Sequence, residues 1–255
     1  MKIDFTLHVY RKLLNQIIES GYHFQTIEEF YSNPKSKVVV LRHDSDAFPK
    51  RDLDLAQIEN NLNVSATYYY RIPETFNTKI IKKIIELNHE VGYHYEDLVR
   101  SNGNFNSAIF SFVENLNKLR GLYDVKSISR HGRPLSKIES LDLWKKHTYK
   151  KHGVICEAYL DIDYTNILYL TDTGRMWNAK SNVRDRVKSN FNRNDIKTTY
   201  DLINAFKNGS LPDKIIINTH PLRWTEKPSI WFYNYISQFL KNILKIILKK
   251  LRNNK

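Results

Sequence analysis

Short apolar runs rich in β-branched residues recur along this chain, and stretches of helical character separate them. This alternation restricts the fold more than any other feature. Val38–Leu41, Ser65–Ile72, Glu90–Tyr95, Val125–Ser129, Ile167–Thr171 and Lys214–Asn218 read as strands. Residues 50–62, 77–88, 104–120, 137–147 and 199–207 read as the helices between them. Strands alternating with helices imply βαβ units and a largely parallel sheet. At 255 residues the chain is long for one domain, yet α/β barrels reach this size as single units. One domain is therefore expected over 1–255, with a helical lead-in over 1–36, a barrel over 37–225 and a basic amphipathic tail over 226–255.

The lead-in carries apolar residues at helical spacing (Leu7, Tyr10, Leu13, Leu14, Ile17 and Ile18), with Gly21 as a stop, and a second short helix is expected over Thr26–Tyr31. Neither a Rossmann glycine pattern nor a P-loop occurs. The single cysteine, Cys156, lies in an apolar stretch and reads as a buried, inert thiol, so no disulfide is available. The first residues lack the apolar core of a signal peptide and no apolar run is long enough to span a bilayer, so a cytoplasmic location is expected. A net charge of +13 favours anionic partners. The lysines are dispersed before the tail and no nucleic-acid-binding motif accompanies them, so nucleic acid is not an expected partner.

The polar residues of chemical interest share one position: each directly follows or ends an apolar run. His43-Asp44-Ser45-Asp46 follows the first strand, His94 ends the third, His131 follows the fourth, Asp172 the fifth and His220 the sixth. In parallel α/β barrels these strand ends converge on the active site. Asp44 and Asp46 are two apart, so an extended backbone points both carboxylates the same way. Together with His94 they offer a mixed nitrogen and oxygen site for a divalent cation, zinc above all. Read one at a time, the two aspartates could equally cap the next helix or pair with Arg51, and a lone histidine on a strand is more often a hydrogen-bonded core residue.

Taken together and in order, these motifs resemble the polysaccharide deacetylase (NodB-homology) family of carbohydrate esterases. Leu41-Arg-His-Asp-Ser-Asp is similar to the family's first motif and Asn88-His-Glu-Val-Gly-Tyr-His-Tyr-Glu-Asp to its second. Ser129-Arg-His-Gly-Arg-Pro, Thr171-Asp-Thr-Gly-Arg-Met-Trp and Ile216-Ile-Asn-Thr-His-Pro are similar to the third, fourth and fifth. The resemblance runs over residues 37–225. It implies an irregular (β/α)7 barrel and metal-dependent hydrolysis of an acetamide or acetyl ester on a sugar. By the same resemblance Asp44 is the general base and Asp46 and His94 are metal ligands. Arg133 or Arg130 orients Asp44, Asp172 pairs with the general acid His220, and Trp177 walls the pocket. Apart from the resemblance, Tyr95, Trp177 and Trp224 lie near these motifs, and aromatic faces stack on sugar rings, so the three are expected to line a substrate site. One position departs from the pattern: Leu98 stands where a second metal histidine is usual. His131 or Asp97 could supply that ligand, with His89 a weaker candidate. The missing histidine also leaves open a catalytically degenerate protein that binds a glycan or scaffolds a polysaccharide pathway.

Residues 230–252 read as one long helix. Asn234, Gln238, Lys241, Asn242, Lys245, Lys249 and Arg252 form a polar stripe. Trp231, Phe232, Leu240, Ile243, Leu244, Ile247, Leu248 and Leu251 form the apolar face. The first half is expected to pack on the barrel. The second half is open between packing and lying on an anionic membrane, where a lipid-linked glycan would be within reach.

Overall fold

The structure, a computed structural model, describes residues 3–133, 136–178, 185–191 and 193–253, with the side chains of 244–253 outside that description. Pro134 of the third motif, and the side chains of Leu244, Lys245, Ile247, Leu248, Lys249, Leu251 and Arg252 in the tail, therefore lie outside the described residues.

In chain order the elements are α1 (Leu7–Glu19), β1 (His23–Gln25), α2 (Ile27–Ser32), β2 (Val38–Ser45), α3 (Lys50–Asn60), β3 (Thr67–Tyr70), α4 (Thr78–Glu86) and β4 (Glu90–Tyr95). There follow α5 (Asp97–Arg100), α6 (Phe105–Arg120), β5 (Ser127–Arg130), β6 (Cys156–Glu157), β7 (Leu168–Thr171), α7 (Thr199–Lys207), β8 (Lys214–Thr219) and α8 (Pro228–Asn253). Local chemistry sets many boundaries. Thr6 accepts from the Val9 amide to start α1, and Gly21 at φ +76 lets the chain leave it. Capping boxes formed by Thr26 with Glu29 and by Thr198 with Asp201 start α2 and α7.

All strand pairs are parallel, and the sheet runs in the order β6-β5-β4-β3-β2-β8-β7, with β1 added to β2. Among the described residues no pairing joins β6 to β7, so the sheet curls into an open barrel of seven strands. The lead-in is more than helical. Its residues His23–Gln25 pair with Val38–Val40, on the edge of β2 that β3 occupies further along. Two other segments depart from the sequence pattern: the expected helix over 137–147 is a 3₁₀ turn at Ser140–Lys145, and α5 follows β4 directly.

The strand period of two divides the chain into an outer and an inner core. Val39 and Leu41 of β2, Tyr68 and Tyr70 of β3, and Ile215 and Ile217 of β8 pack outward among the helices. Val38, Val40, Tyr69, Cys156 and Ile216 pack inward and floor the barrel. A Cβ on Gly92 would lie 2.3 Å from the Tyr69 ring, so the absent side chain at position 92 makes the room that ring fills. Continued upward, the inward parity of β2 reaches Arg42 and then Asp44. That of β4 reaches His94, and that of β8 reaches Asn218 and then His220.

The outward parity of β2 carries its own buried polar group. The Glu59 carboxylate of α3 accepts from the hydroxyls of Tyr10 and Tyr68 and lies 2.9 Å from His43 Nε2. Burial opposes its ionisation, yet His43, His89 and Tyr10 outweigh burial and hold its pKa at about 2. A carboxyl depressed on folding contributes stability that is complete above its unfolded value near 4.5 and is lost as pH falls toward 2. Glu59→Gln is therefore expected to cost about 3–5 kcal/mol at pH 7. It should also flatten the acid limb of stability below pH 4.5, both read by urea denaturation across pH.

Candidate active site and metal centre

Six of the residues singled out in the sequence meet at the carboxyl ends of β2, β4, β5, β7 and β8. Asp46 lies at their centre. Its carboxylate stands 3.7 Å from His94 Nε2, 3.5 Å from His131 Nε2 and 3.8 Å from His220 Nε2. Each of these imidazoles is oriented by its other nitrogen. His94 Nδ1 donates to the Ser129 carbonyl at 3.0 Å, His131 Nδ1 to Glu96 Oε2 at 2.7 Å, and His220 Nδ1 to Asp172 Oδ1 at 2.6 Å. With Nδ1 donating, Nε2 of each ring faces Asp46.

The ligand atoms of Asp46, His94 and His131 lie within 4.8 Å of one another, and they form the one such metal-ready group among the described residues. Asp46 Oδ1 is buried and has no hydrogen-bond partner. A buried carboxylate oxygen left unpaired beside two imidazole nitrogens with fixed tautomers suits a divalent cation, and two histidines with one carboxylate is a donor set zinc accepts. Between the two ligands that the incomplete second motif left open, the fold discriminates. His131 turns into the cluster. Asp97 is buried on the other side of β4, accepting from Tyr93, Ser111 and Asn115, and burial raises its pKa. Leu98 is core, and His89 lies on the outer face, 3.6 Å from Glu59.

Asp44 is placed beside this group, with Oδ2 3.9 Å from His94 Nε2. Its orienting arginine is neither Arg133 nor Arg130. Arg133 lies on Glu96, with Nε 2.7 Å from Oε2, while Arg130 points to Glu139 and covers the Tyr159 ring. Arg42 takes the place instead. It sits two residues before Asp44 on the same inward face and donates to Asp44 Oδ1 at 2.6 Å, while Asn218 donates to Oδ2 at 2.9 Å. Burial opposes a charge on Asp44, but Arg42 and the nearby histidines hold its pKa well below the carboxylate range. The period of two from Asp44 back to Arg42, and from His220 back to Asn218, is the signal that marks both partners.

Asp172 accepts from the His220 ring and backbone amide, from Arg223 at 2.8 Å and from the Trp224 indole at 2.9 Å. Burial and Arg223 work against an imidazolium at His220, and Asp172 and Asp46 outweigh them to raise its pKa. Three expected sugar-facing aromatics are placed otherwise. Tyr95, Trp177 and Trp224 are buried in the outer core, where their faces meet other rings and no face is free for a sugar. Trp224 instead supports Asp172, and Trp177 donates to Thr199.

Glu96, also unforeseen, gathers the rim. It accepts from His131, Arg71, Arg100 and Arg133. Burial opposes its charge, and His131, Arg133 and Arg71 outweigh burial and keep it ionised.

No protein-family model and no curated protein sequence matches the chain. Solved structures do resemble it. A CE4 esterase from Streptococcus mutans is 16% identical, with 89% of this chain and 86% of that one covered, at a TM-score of 0.47. A CE4 family pseudoenzyme from Bacillus anthracis is 13% identical with a TM-score of 0.44, and the match covers 82% of this chain but 62% of that one. A family 4 acetyl xylan esterase from Clostridium thermocellum, solved with a cobalt ion, is 13% identical over 80% of this chain and 84% of that one, at a TM-score of 0.41. These neighbours carry the polysaccharide deacetylase fold.

Calorimetric titration of metal-free protein with zinc is expected to show affinity abolished by His131→Ala and weakened roughly 10- to 100-fold by Glu96→Gln. Asp97→Asn, next to Glu96 in sequence but outside the cluster, should leave it unchanged.

Proposed function

We propose that this chain is a metal-dependent carbohydrate deacetylase that hydrolyses an acetamide on a sugar. The observation that carries the reading is the convergence of three oriented imidazoles on Asp46, with a separate ionised carboxylate, Asp44, beside them. Asp46, His94 and His131 would hold the cation, zinc by its donor set. A bound divalent cation supplies a lowered pKa for water and a polarised acetyl carbonyl.

The chain's own residues divide the proton work. Asp44, kept ionised by Arg42, accepts the proton of the water that attacks the carbonyl carbon. His220, favoured as the imidazolium by Asp172, delivers a proton to the departing sugar nitrogen as its bond to the acyl carbon breaks. An amine leaves poorly unless protonated, so an acid on a strand apart from the base suits an amide better than an ester. Arg223 and Trp224 keep Asp172 ionised and in place. The Asp46 side chain retains 26% exposure, so this end of the barrel is open to a substrate. The sugar is taken as part of a glycan, and a lipid-linked carrier fits the helix described below.

Acetate release from N-acetylated and O-acetylated oligosaccharides, measured together with zinc content by mass spectrometry, tests the proposal. Asp44→Asn and His220→Ala are each expected to lower turnover roughly 10²–10⁴-fold with zinc retained. Asp46→Ala should lose both. Zinc-loaded wild-type protein that releases no acetate from any of these substrates would replace the hydrolase with a metal-bearing protein that binds glycan without cleaving it.

A further inference from the structure

The helix α8 is mounted the opposite way from a helix that packs by its apolar stripe. Its entry is tied down by Trp231, whose indole donates to the Asp4 carbonyl at 2.6 Å and lies under the Arg175 guanidinium. Beyond that, two members of the polar stripe, Asn234 and Asn242, hold the helix to the protein, while Lys241 between them is exposed. Asn234 Nδ2 donates to the Leu222 carbonyl at 2.9 Å and Asn242 Nδ2 to the Gly174 carbonyl at 3.1 Å. Those carbonyls belong to the loops that carry His220 and Asp172. The apolar residues from Phe232 to Ile243 face solvent. Phe232 is 62% exposed, Tyr233 71%, Phe239 55% and Leu240 54%, with Ile236 and Ile243 exposed between and beyond them. Their spacing of three, four and seven places them on one arc of the helix.

A contiguous aromatic and aliphatic arc exposed on a strapped-down helix marks an interaction surface. Charge identifies the partner. From position 227 onward the sequence holds Lys227, Lys241, Lys245, Lys249, Lys250, Arg252 and Lys255 and no aspartate or glutamate. Two copies meeting through this arc would bring basic helices together with no acidic residue on either to offset them. An anionic phospholipid surface complements the cations and accepts the apolar side chains together. The helix has 26 residues, a length of about 39 Å, and among the described residues no helix is long and apolar enough to cross a membrane. We infer that α8 docks the protein flat on an anionic bilayer through the Phe232–Ile243 arc. Because α8 is bonded to the loops after β7 and β8, docking brings the rim of the candidate site to the lipid surface. The docking itself does not rest on the hydrolase reading.

Vesicle flotation of the full chain tests this, with phosphatidylcholine vesicles compared with vesicles containing about 30% phosphatidylglycerol. Wild-type protein is expected to float with the anionic vesicles at low salt, at least roughly tenfold more than with the neutral ones, and to be released as salt rises. Phe239→Glu with Leu240→Glu, and separately Phe232→Gln with Ile243→Gln, should each lower the bound fraction at least roughly tenfold at unchanged zinc content and helicity. Asp46→Ala should lose zinc and float as wild type, so a failure of docking and a failure of the metal-site reading are told apart. Unbound wild-type protein would overturn the inference. So would binding that survives both pairs of substitutions, or an arc that instead joins two copies, seen as a dimer in sedimentation that Phe239→Glu with Leu240→Glu dissolves.

Discussion

A fully buried guanidinium, Arg42, marks the level at which the apolar floor of the barrel gives way to its polar upper end. An isolated charge there would be costly. Asp44 and Ser129 each accept from it, and its cation is spread over the rings of Tyr69 and Tyr159. The arrangement ties β2 to β5 across the interior and holds Asp44 ionised where desolvation alone would neutralise it. Gly92 belongs to the same construction, since the Tyr69 ring that Arg42 stacks on occupies the volume a side chain at position 92 would fill.

Above that level the chemistry depends on supports as much as on the groups at the centre. Each imidazole facing Asp46 is held through its second nitrogen by a different kind of acceptor: a backbone carbonyl, a rim carboxylate and a buried aspartate. The Glu96 hub is what makes His131 usable, because the histidine comes from beyond β5 and needs a carboxylate to fix its ring. Glu96 in turn can be a buried anion because three arginines converge on it. Under the proposed function, His131 from beyond β5 would offset the departure at Leu98. α8 then leans on the loops after β7 and β8, so the surface it exposes and the rim of the barrel are one mechanical unit.

The order of strands, their approximate bounds, and the placing of Asp44, Asp46, His94, His131, Asp172 and His220 at strand ends were legible in the sequence. Strand and helix periods act over neighbouring residues, and the rule that strand ends converge does the rest. β1 and β6 were not legible, because strands of three and two residues have no period and exist only through pairing with β2 and β5. The partnerships of Glu96 with His131 and of Trp224 with Asp172 were missed for a related reason: a partner from another element leaves no mark at a fixed sequence distance, whereas Arg42 and Asn218 carried the period-of-two signal and were overlooked. The expected sugar-facing aromatics were misjudged in the same way. Tyr95, Trp177 and Trp224 lie near the motifs in sequence and face the outer core in space.

By itself, then, the amino-acid order determined the parallel α/β alternation, the set of ionisable groups at the strand ends and the amphipathic character of the last helix, since each is a property of local spacing. Tertiary structure alone decided that His131 rather than Asp97 turns into the cluster and that Arg133 is drawn to Glu96 instead of Asp44. It also decided that α8 is held to the barrel through Asn234 and Asn242 and that its apolar residues from Phe232 to Ile243 face solvent. Those outcomes rest on distances between residues far apart in the chain, and the physical reason is that a buried charge or an unpaired backbone carbonyl takes whichever partner the folded backbone brings within reach.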